Sequence, residues 1–376
     1  MKSAFIHSDE FSKFKVSNEY PWLTERSDVT YSKCKELNLL DHDGIEVIQP
    51  KPASIKDLYL YHTKEYINLL KKADKGIFDE SMLRYGLGTL ECPVVKGVFK
   101  YHNLAAGATI AGANLLVQNK KDIVFSPTGG FHHAGPDFAS GFCYINDINI
   151  AINKLLKTGK RILYIDIDAH HADMVQETFY SNPDVMKISF HESGKTLFPW
   201  KTGFENEIGK GKGKGYNINF PLPENTGDEE FLWAFERVFP PVARAFKADI
   251  TFAILGVDII SSDPLTHLQL TNNAFIKAVK IIKQASAKLL ALGCGGYLLD
   301  NMERSWTLAW AAMNDLEPKE EDAATFGGMF WGDGLYSLLD RPSFLPNNIR
   351  KKTKKEIKKV YKYIVSNIFP ILGIKP

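Results

Sequence analysis

The chain has 376 residues, enough for one large α/β domain or two ordinary ones. Its 44% hydrophobic and 24% charged content predicts a sizeable core, and a net charge of +2 excludes a global attraction to nucleic acid or to a membrane surface. The start lacks a signal-peptide core and no run approaches the about 18 apolar residues of a membrane span. The four scattered cysteines (Cys34, Cys92, Cys143, Cys294) form no CxxC pair, which fits a cytoplasmic protein better than a disulfide framework.

Apolar periodicity predicts a helix over Ser54–Lys72, with Leu58, Tyr59, Tyr66, Leu69 and Leu70 at core spacing and His62 packed or on the surface. A second helix is predicted over Gly97–Gln118. Strand Asp122–Ser126 then runs into PTGGFHHAGPDF and delivers His132 and His133. Helix Asp147–Lys157 leads to strand Arg161–Asp168, which ends in DIDAHHAD, and strand Asp184–Phe190 ends in SFHES. The glycine–lysine run at 209–215 lacks the Ser/Thr that completes a phosphate loop and reads as a surface connection to the strand YNINF. Helix Glu229–Phe246, strand Asp249–Val257 ending in GVDIISSDP, helix Asn272–Ala287, strand Leu289–Leu292 followed by GCGGY, and helix Asn301–Ala312 complete the alternation. In 350–368, Ile357, Val360, Tyr361, Ile364 and Ile368 recur at helical spacing with lysines between them. That pattern reads as a docked basic helix with a solvated outer face, not as a nucleic-acid surface.

Strands alternating with helices imply βαβ units, hence a single α/β domain over 1–376 with three layers (α/β/α) and a mainly parallel central sheet. The strands are near-continuous apolar runs, as expected when both faces are covered. Five of them end in polar residues or glycines, and such ends gather along one edge of an open α/β sheet, where sites form.

Asp166 and Asp168 interrupt an otherwise buried run, a costly arrangement unless they are paired or hold a metal. In an extended segment Asp168 and His170 share a face, and Asp258 from another strand would complete a set of two aspartates and one histidine. Catalytic zinc commonly keeps three protein ligands and an open position, although Fe(II) and Mn(II) also accept such donors. Hydrolysis then needs a base and an acid, for which His132 and His133 are candidates. Each needs an orienting carboxylate, and Asp166 and Asp173 are the acids nearby. Tyr297 is placed to donate to a developing oxyanion.

In this order the motifs HHA, DxDxHH, GxD and GGY resemble the zinc-dependent histone deacetylase family, which includes bacterial acetoin-utilisation-type proteins and acetylpolyamine amidohydrolases. ECPV at 91–94, SGFCYINDINIAI at 140–152, RILYIDIDAHH at 161–171 and GKGKGYNINFPLP at 211–223 extend the resemblance over about residues 15–315. It implies an arginase/deacetylase-like fold and hydrolysis of acyl-lysine protein or of a small acetylated amine. It implies zinc ligation by Asp168, His170 and Asp258. It makes His133 the general base and acid with Asp173 behind it, His132 an electrostatic partner held by Asp166, and Tyr297 the group that polarises the amide carbonyl. Gly141, Phe142 and Phe198 match a narrow acyl-lysine channel, Glu91 a rim position where many relatives have Asp, and Arg26 an arginine near an internal product cavity. Structural K⁺ is implied at Asp166, Asp168, His170, Ser189 and Phe190, and a second K⁺ at Phe179, Asn182, Val185 and Tyr216.

Three departures stand out. HHADM replaces the frequent HHGDG, so Ala172 and Met174 add bulk beside Asp173. GCGGY replaces GGGGY, so Cys294 would narrow the product cavity or expose a thiol to oxidation. Leu265 stands where some polyamine-selective relatives have Glu, which favours acyl-lysine. An arginase-type ureohydrolase would carry further acids for a two-manganese site, whereas here Asp258 and Asp263 are five apart. A metal-bound acyl-lysine-binding module without turnover is the non-enzymatic alternative; the ligands and Tyr297 are all present.

Overall fold

Short strands, all but β2 buried, alternate with helices along the chain: β1 (Ser3–Ile6), α1 (Arg26–Glu36), β2 (Ile45–Ile48), α2 (Ile55–Leu58), α3 (Lys64–Ala73), α4 (Val98–Val117), β3 (Ile123–Ser126), α5 (Asp147–Leu156), β4 (Ile162–Asp166), α6 (Asp173–Phe179), β5 (Val185–Glu192), β6 (Asn217–Leu222), α7 (Asp228–Phe246), β7 (Ile250–Ile254), α8 (Asn272–Ala285), β8 (Leu289–Leu292), α9 (Leu299–Met313) and α10 (Asn347–Asn367). This is a computed structural model that describes residues 1–16, 20–318 and 338–375. The eight strands form one all-parallel sheet in the order β2-β1-β3-β8-β7-β4-β5-β6. Parallel neighbours require crossovers, and the helices that make them cover both faces.

Alternation along each strand feeds two cores. On β3, Ile123 and Phe125 face the layer that holds Phe235, Val238 and Trp306, whereas Val124 faces the layer of Tyr66, Leu104 and Ile148. On β4, Leu163 and Ile165 take the first side and Ile162 and Tyr164 the second. The result is one α/β/α domain. The basic helix α10 belongs to the first layer: Ile357, Val360, Ile364 and Ile368 are buried, and Arg350 at its start bonds to Glu229 and Glu230 of α7. Among the described residues no helix is long and apolar enough to cross a membrane.

The predicted helix over Ser54–Lys72 is two helices. The segment between α2 and α3 spends its backbone on tertiary bonds: Asn153 Nδ2 donates to the Leu60 carbonyl (3.0 Å), and Thr63 N–H donates to Pro136 O (2.9 Å). Thr63 then caps α3 through its hydroxyl, which accepts from Tyr66 N–H at 3.3 Å. Two strands, β1 and β2, had no sequence prediction. Each is four residues long, and β2 lies at the sheet edge with its side chains at least partly exposed.

Candidate active site

The four central strands, β3, β8, β7 and β4, set their carboxyl ends side by side, and the candidate metal ligands, both adjacent histidines and Tyr297 follow those ends. Asp168 and His170 follow β4, and Asp258 follows β7; ligand atoms of the three lie within 4.8 Å of one another. His170 Nδ1 is 3.1 Å from Asp168 Oδ1 and 2.9 Å from Asp258 Oδ2. Backbone amides hold the carboxylates: Ala169 N–H donates to Asp258 (2.9 Å), His170 N–H to Asp168 (2.8 Å) and Gly295 N–H to Asp168 (2.6 Å). A Cβ at position 295 would lie 2.1 Å from Asp258 Oδ2 and 2.5 Å from Asp168 Oδ2, so the turn after β8 reaches the acids only as glycine.

Two buried carboxylates so close demand positive charge between them. Burial, then the charge of Asp168, push Asp258 up to about 7. Burial would raise Asp168 too, but its bonds from His170 and the charge of His132 hold it well below the usual carboxylate range. His170 is disfavoured as a cation by burial, yet the two carboxylates hold it well above its ordinary value. A divalent cation answers the same electrostatic demand, and two carboxylates with one imidazole is a donor set that zinc or ferrous iron accepts. The residues therefore fit a metal.

Beside this cluster stand His132 and His133, their rings 4.0 Å apart. His132 Nδ1 bonds Asp166 Oδ2 (2.9 Å), and His133 Nδ1 bonds Asp173 Oδ1 (2.8 Å). An ionised carboxylate only accepts, so both Nδ1 atoms carry the proton and both Nε2 atoms are left for chemistry. The two imidazoles titrate far apart. Burial opposes the charge on His132, but Asp166 outweighs it and lifts it to about 9. Burial, then the charge of His132, lower His133 to about 4 despite Asp173. Ala172 is buried and Met174 half-buried, and the Asp173–His133 bond is intact beside them.

The walls are aromatic. His133 packs edge-on to Phe198 (5.0 Å between centroids), and Tyr297 lies 5.8 Å from Phe142 and 6.3 Å from His170. Gly141, at φ +52°, separates these walls; a Cβ there would meet His133 Cδ2 at 2.6 Å. Glu91 is exposed and accepts the Gly141 N–H at 3.2 Å. Asp263 accepts the backbone N–H of Leu265 and of Tyr297, each at 3.0 Å, and so fixes the rim to the tyrosine turn. Arg26 is fully buried over Trp22, with its guanidinium on the carbonyls of Cys294 and Gly296. Cys294 is buried, donating to Gly130 O (2.8 Å) and standing 3.7 Å from His132 Nε2, so the expectation of an exposed thiol is corrected. Burial also pushes that thiol well above its ordinary value.

The two sets of residues that the resemblance gave to potassium differ. Asp166 and Ser189 face each other across the β4–β5 register, next to Asp168, His170 and Phe190. The second set is already in use. Lys187 of β5 puts its ammonium 2.6 Å from Phe179 O and 3.0 Å from Val185 O, and its backbone N–H bonds Tyr216 O at 3.1 Å. Phe179 O also accepts from Asn182 N–H. The Lys187 ammonium thus bonds two of the carbonyls, those of Phe179 and Val185, in the set that the resemblance gave to a second potassium.

Sequence reasoning passed over two residues that shape the site. Asp147 accepts from the N–H groups of Gly130 (3.0 Å) and Phe131 (2.9 Å) and from the Thr109 hydroxyl, holding the turn that presents both histidines. Asn146 donates to Ala134 O (3.0 Å), and its N–H meets His62 Nε2 at 3.0 Å, so His62 is a packed histidine. The signal was the Asn-Asp pair opening α5, where Asn146 accepts the Asn149 N–H as a cap.

A parallel α/β sheet with this constellation at its central strand ends defines a deacetylase-type hydrolase fold. Residues 20–313 match the histone deacetylase domain model, and the chain belongs to the histone deacetylase family. It is 37% identical over 327 residues to the acetoin utilization protein AcuC of Bacillus subtilis (strain 168), covering 85% of this chain and 84% of that one. It is 33% identical over 371 residues to histone deacetylase 1 of Homo sapiens, covering 98% of this chain and 75% of the relative. Among solved structures, an HDAC homolog complexed with SAHA superposes with a TM-score of 0.83 at 33% identity, covering 96% of this chain and all of that one. An HDAC homolog from Aquifex aeolicus superposes at 0.81 with 34% identity, covering 95% and 100%.

Proposed function

We propose that this chain hydrolyses acyl-lysine amides in proteins, releasing the acyl group as a carboxylate, with zinc held by Asp168, His170 and Asp258. One observation carries the reading: a buried Asp–His–Asp cluster lies directly beside two imidazoles biased toward opposite protonation states. Bound there, zinc would lower the pKa of its water and polarise the amide carbonyl, and ferrous iron has the same capacity. His133, neutral at working pH and held by Asp173, takes the proton of the attacking water on Nε2 and returns it to the leaving amine. His132, protonated and fixed by Asp166, lends positive charge to the tetrahedral oxyanion. Tyr297 donates its phenol to the same oxygen; burial pushes its pKa well above the ordinary value, so that proton stays available.

Phe142 and Phe198 suit a methylene chain between them, and Gly141 leaves room for it. Glu91 offers an exposed acceptor for a peptide N–H at the rim. Arg26 positions the turn of Tyr297. Asp166, Asp168, His170, Ser189 and Phe190 form the set for one structural potassium. The whole chain, basic α10 included, works as a single catalytic domain. All four thiols are free and buried, which suits a reducing cytoplasm. We assign no membrane or nucleic-acid partner.

A second reading, deacylation of acetylpolyamines, draws on the exposed Glu91 carboxylate. Leu265 weighs against it, since an apolar side chain offers nothing to a second ammonium. Acetyl-lysine peptides and acetylspermidine should be assayed side by side with metal-stripped and zinc-reloaded protein. The expected outcome is turnover on peptides that disappears on stripping and returns with zinc. Full turnover by protein verified free of metal would refute the mechanism, and preference for acetylspermidine would replace the substrate.

A further inference from the structure

Lys187 is the third residue of an eight-residue strand whose every side chain is buried, and its own exposure is 3%. A buried ammonium is costly unless compensated. Among the described residues no carboxylate pairs with it. Its compensation is backbone: Phe179 O at 2.6 Å and Val185 O at 3.0 Å. Phe179 is the last residue of α6, where helix carbonyls lack intrahelical partners and the macrodipole is negative. Carbonyl oxygens converging on one positive charge is the environment that proteins build for an alkali cation. Burial lowers the amine to about 7, and two carbonyl oxygens within hydrogen-bond distance, which can only accept, act in favour of its charged form.

The location gives the contact a function. α6 opens with Asp173, the partner of His133, and closes with Phe179, so whatever ties its C-terminus to β5 holds the helix that orients this histidine. We propose that the Lys187 ammonium is a built-in cation that takes the place of a monovalent metal ion at the junction of α6 and β5, so that no potassium is bound there. The tie is covalent to β5 and independent of the ionic composition outside. This inference does not depend on which amide the protein cleaves.

The test exchanges the amine for a sulfur of similar reach. Wild type and Lys187→Met are melted in potassium chloride and in choline chloride at equal ionic strength. Removing the amine orphans the two carbonyls, and a potassium ion can then fill the gap. The variant should melt below wild type in choline and gain several degrees more than wild type when choline is exchanged for potassium, by mass action on the folded state. An equal potassium response in both proteins would overturn the proposal. Thallium(I)-soaked crystals give a second readout that needs no variant. Wild type should show no anomalous peak within reach of the Phe179 and Val185 carbonyls, and a peak there would overturn the proposal even if Lys187→Met does not fold.

Discussion

At the scale of single residues, the two adjacent histidines carry the chemistry by differing. They share a backbone turn and a ring contact, but Asp166 fully buried behind one and a half-buried Asp173 behind the other separate their protons. In metal-free protein, imidazole resonances should titrate near 9 for His132 and near 4 for His133. Loading a dication should lower both, because a nearby positive charge disfavours imidazolium. The stability signs follow. His132, raised in the fold, contributes stability that is complete below its ordinary 6.5 and fades as pH rises through about 9. His133, depressed, makes the fold lose stability as pH falls from 6.5 toward about 4. Two overlapping titrations near 6.5 would contradict the division of labour. The residues themselves were legible in the sequence, since adjacent histidines and clustered acids declare their chemistry. Their pairing was not: the partners lie 34 and 40 positions away, and only the strand order of the sheet brings them together.

At the scale of elements, the strands that build the site were readable because they are continuous apolar runs ending in polar residues. β1 and β2 were not, being too short to show a period, and the break between α2 and α3 is imposed by partners from the segments around Pro136 and Asn153 that no local pattern reveals. Lys187 is the sharpest case. In sequence it is one lysine within an apolar strand; its meaning depends on the end of α6 lying over it. The turn after β8 repays an experiment. Gly295 delivers its N–H to Asp168 from a position where any Cβ collides with two ligand carboxylates. Those carboxylates are held by backbone and cannot swing aside cheaply. Gly295→Ala should fold, because strand pairing ends at Leu292, yet bind zinc about 10–100-fold more weakly, the usual range for disturbing groups that orient metal ligands. Calorimetric titration of zinc into stripped variant and wild type measures this; unchanged affinity would remove the turn from the site's construction.

At the scale of the whole molecule, the cost of assembling the cluster is shared with the fold. Four strands converge so that buried acids face one another, and without a cation that convergence works against stability as the acids ionise. Burial and neighbouring charge raise Asp258 from 3.8 to about 7, and burial raises Asp263 from 3.8 to about 6. For an acid raised in the folded state, the native protein holds the proton longer than the unfolded chain, so stability falls as pH climbs through the window between the two values. His170, raised well above 6.5, adds the same sign at higher pH. In metal-free protein Asp258 and Asp263 therefore withdraw stability between about pH 4 and 7, against the gain that His133 and the buried histidines His102 and His191, each lowered to about 4 by burial, contribute as pH rises toward 6.5. A metal binds the deprotonated ligands and displaces the proton, so its stabilising effect should grow over the same window. At 100-fold excess over its dissociation constant a ligand adds about 2.7 kcal/mol, enough for a shift of several degrees in the melting temperature. Melting curves of stripped and zinc-loaded protein at pH 5 and pH 7 decide it: the zinc-induced shift should be clearly larger at pH 7, and an equal or smaller shift there would mean that the ligand Asp258 does not carry the proton the metal replaces.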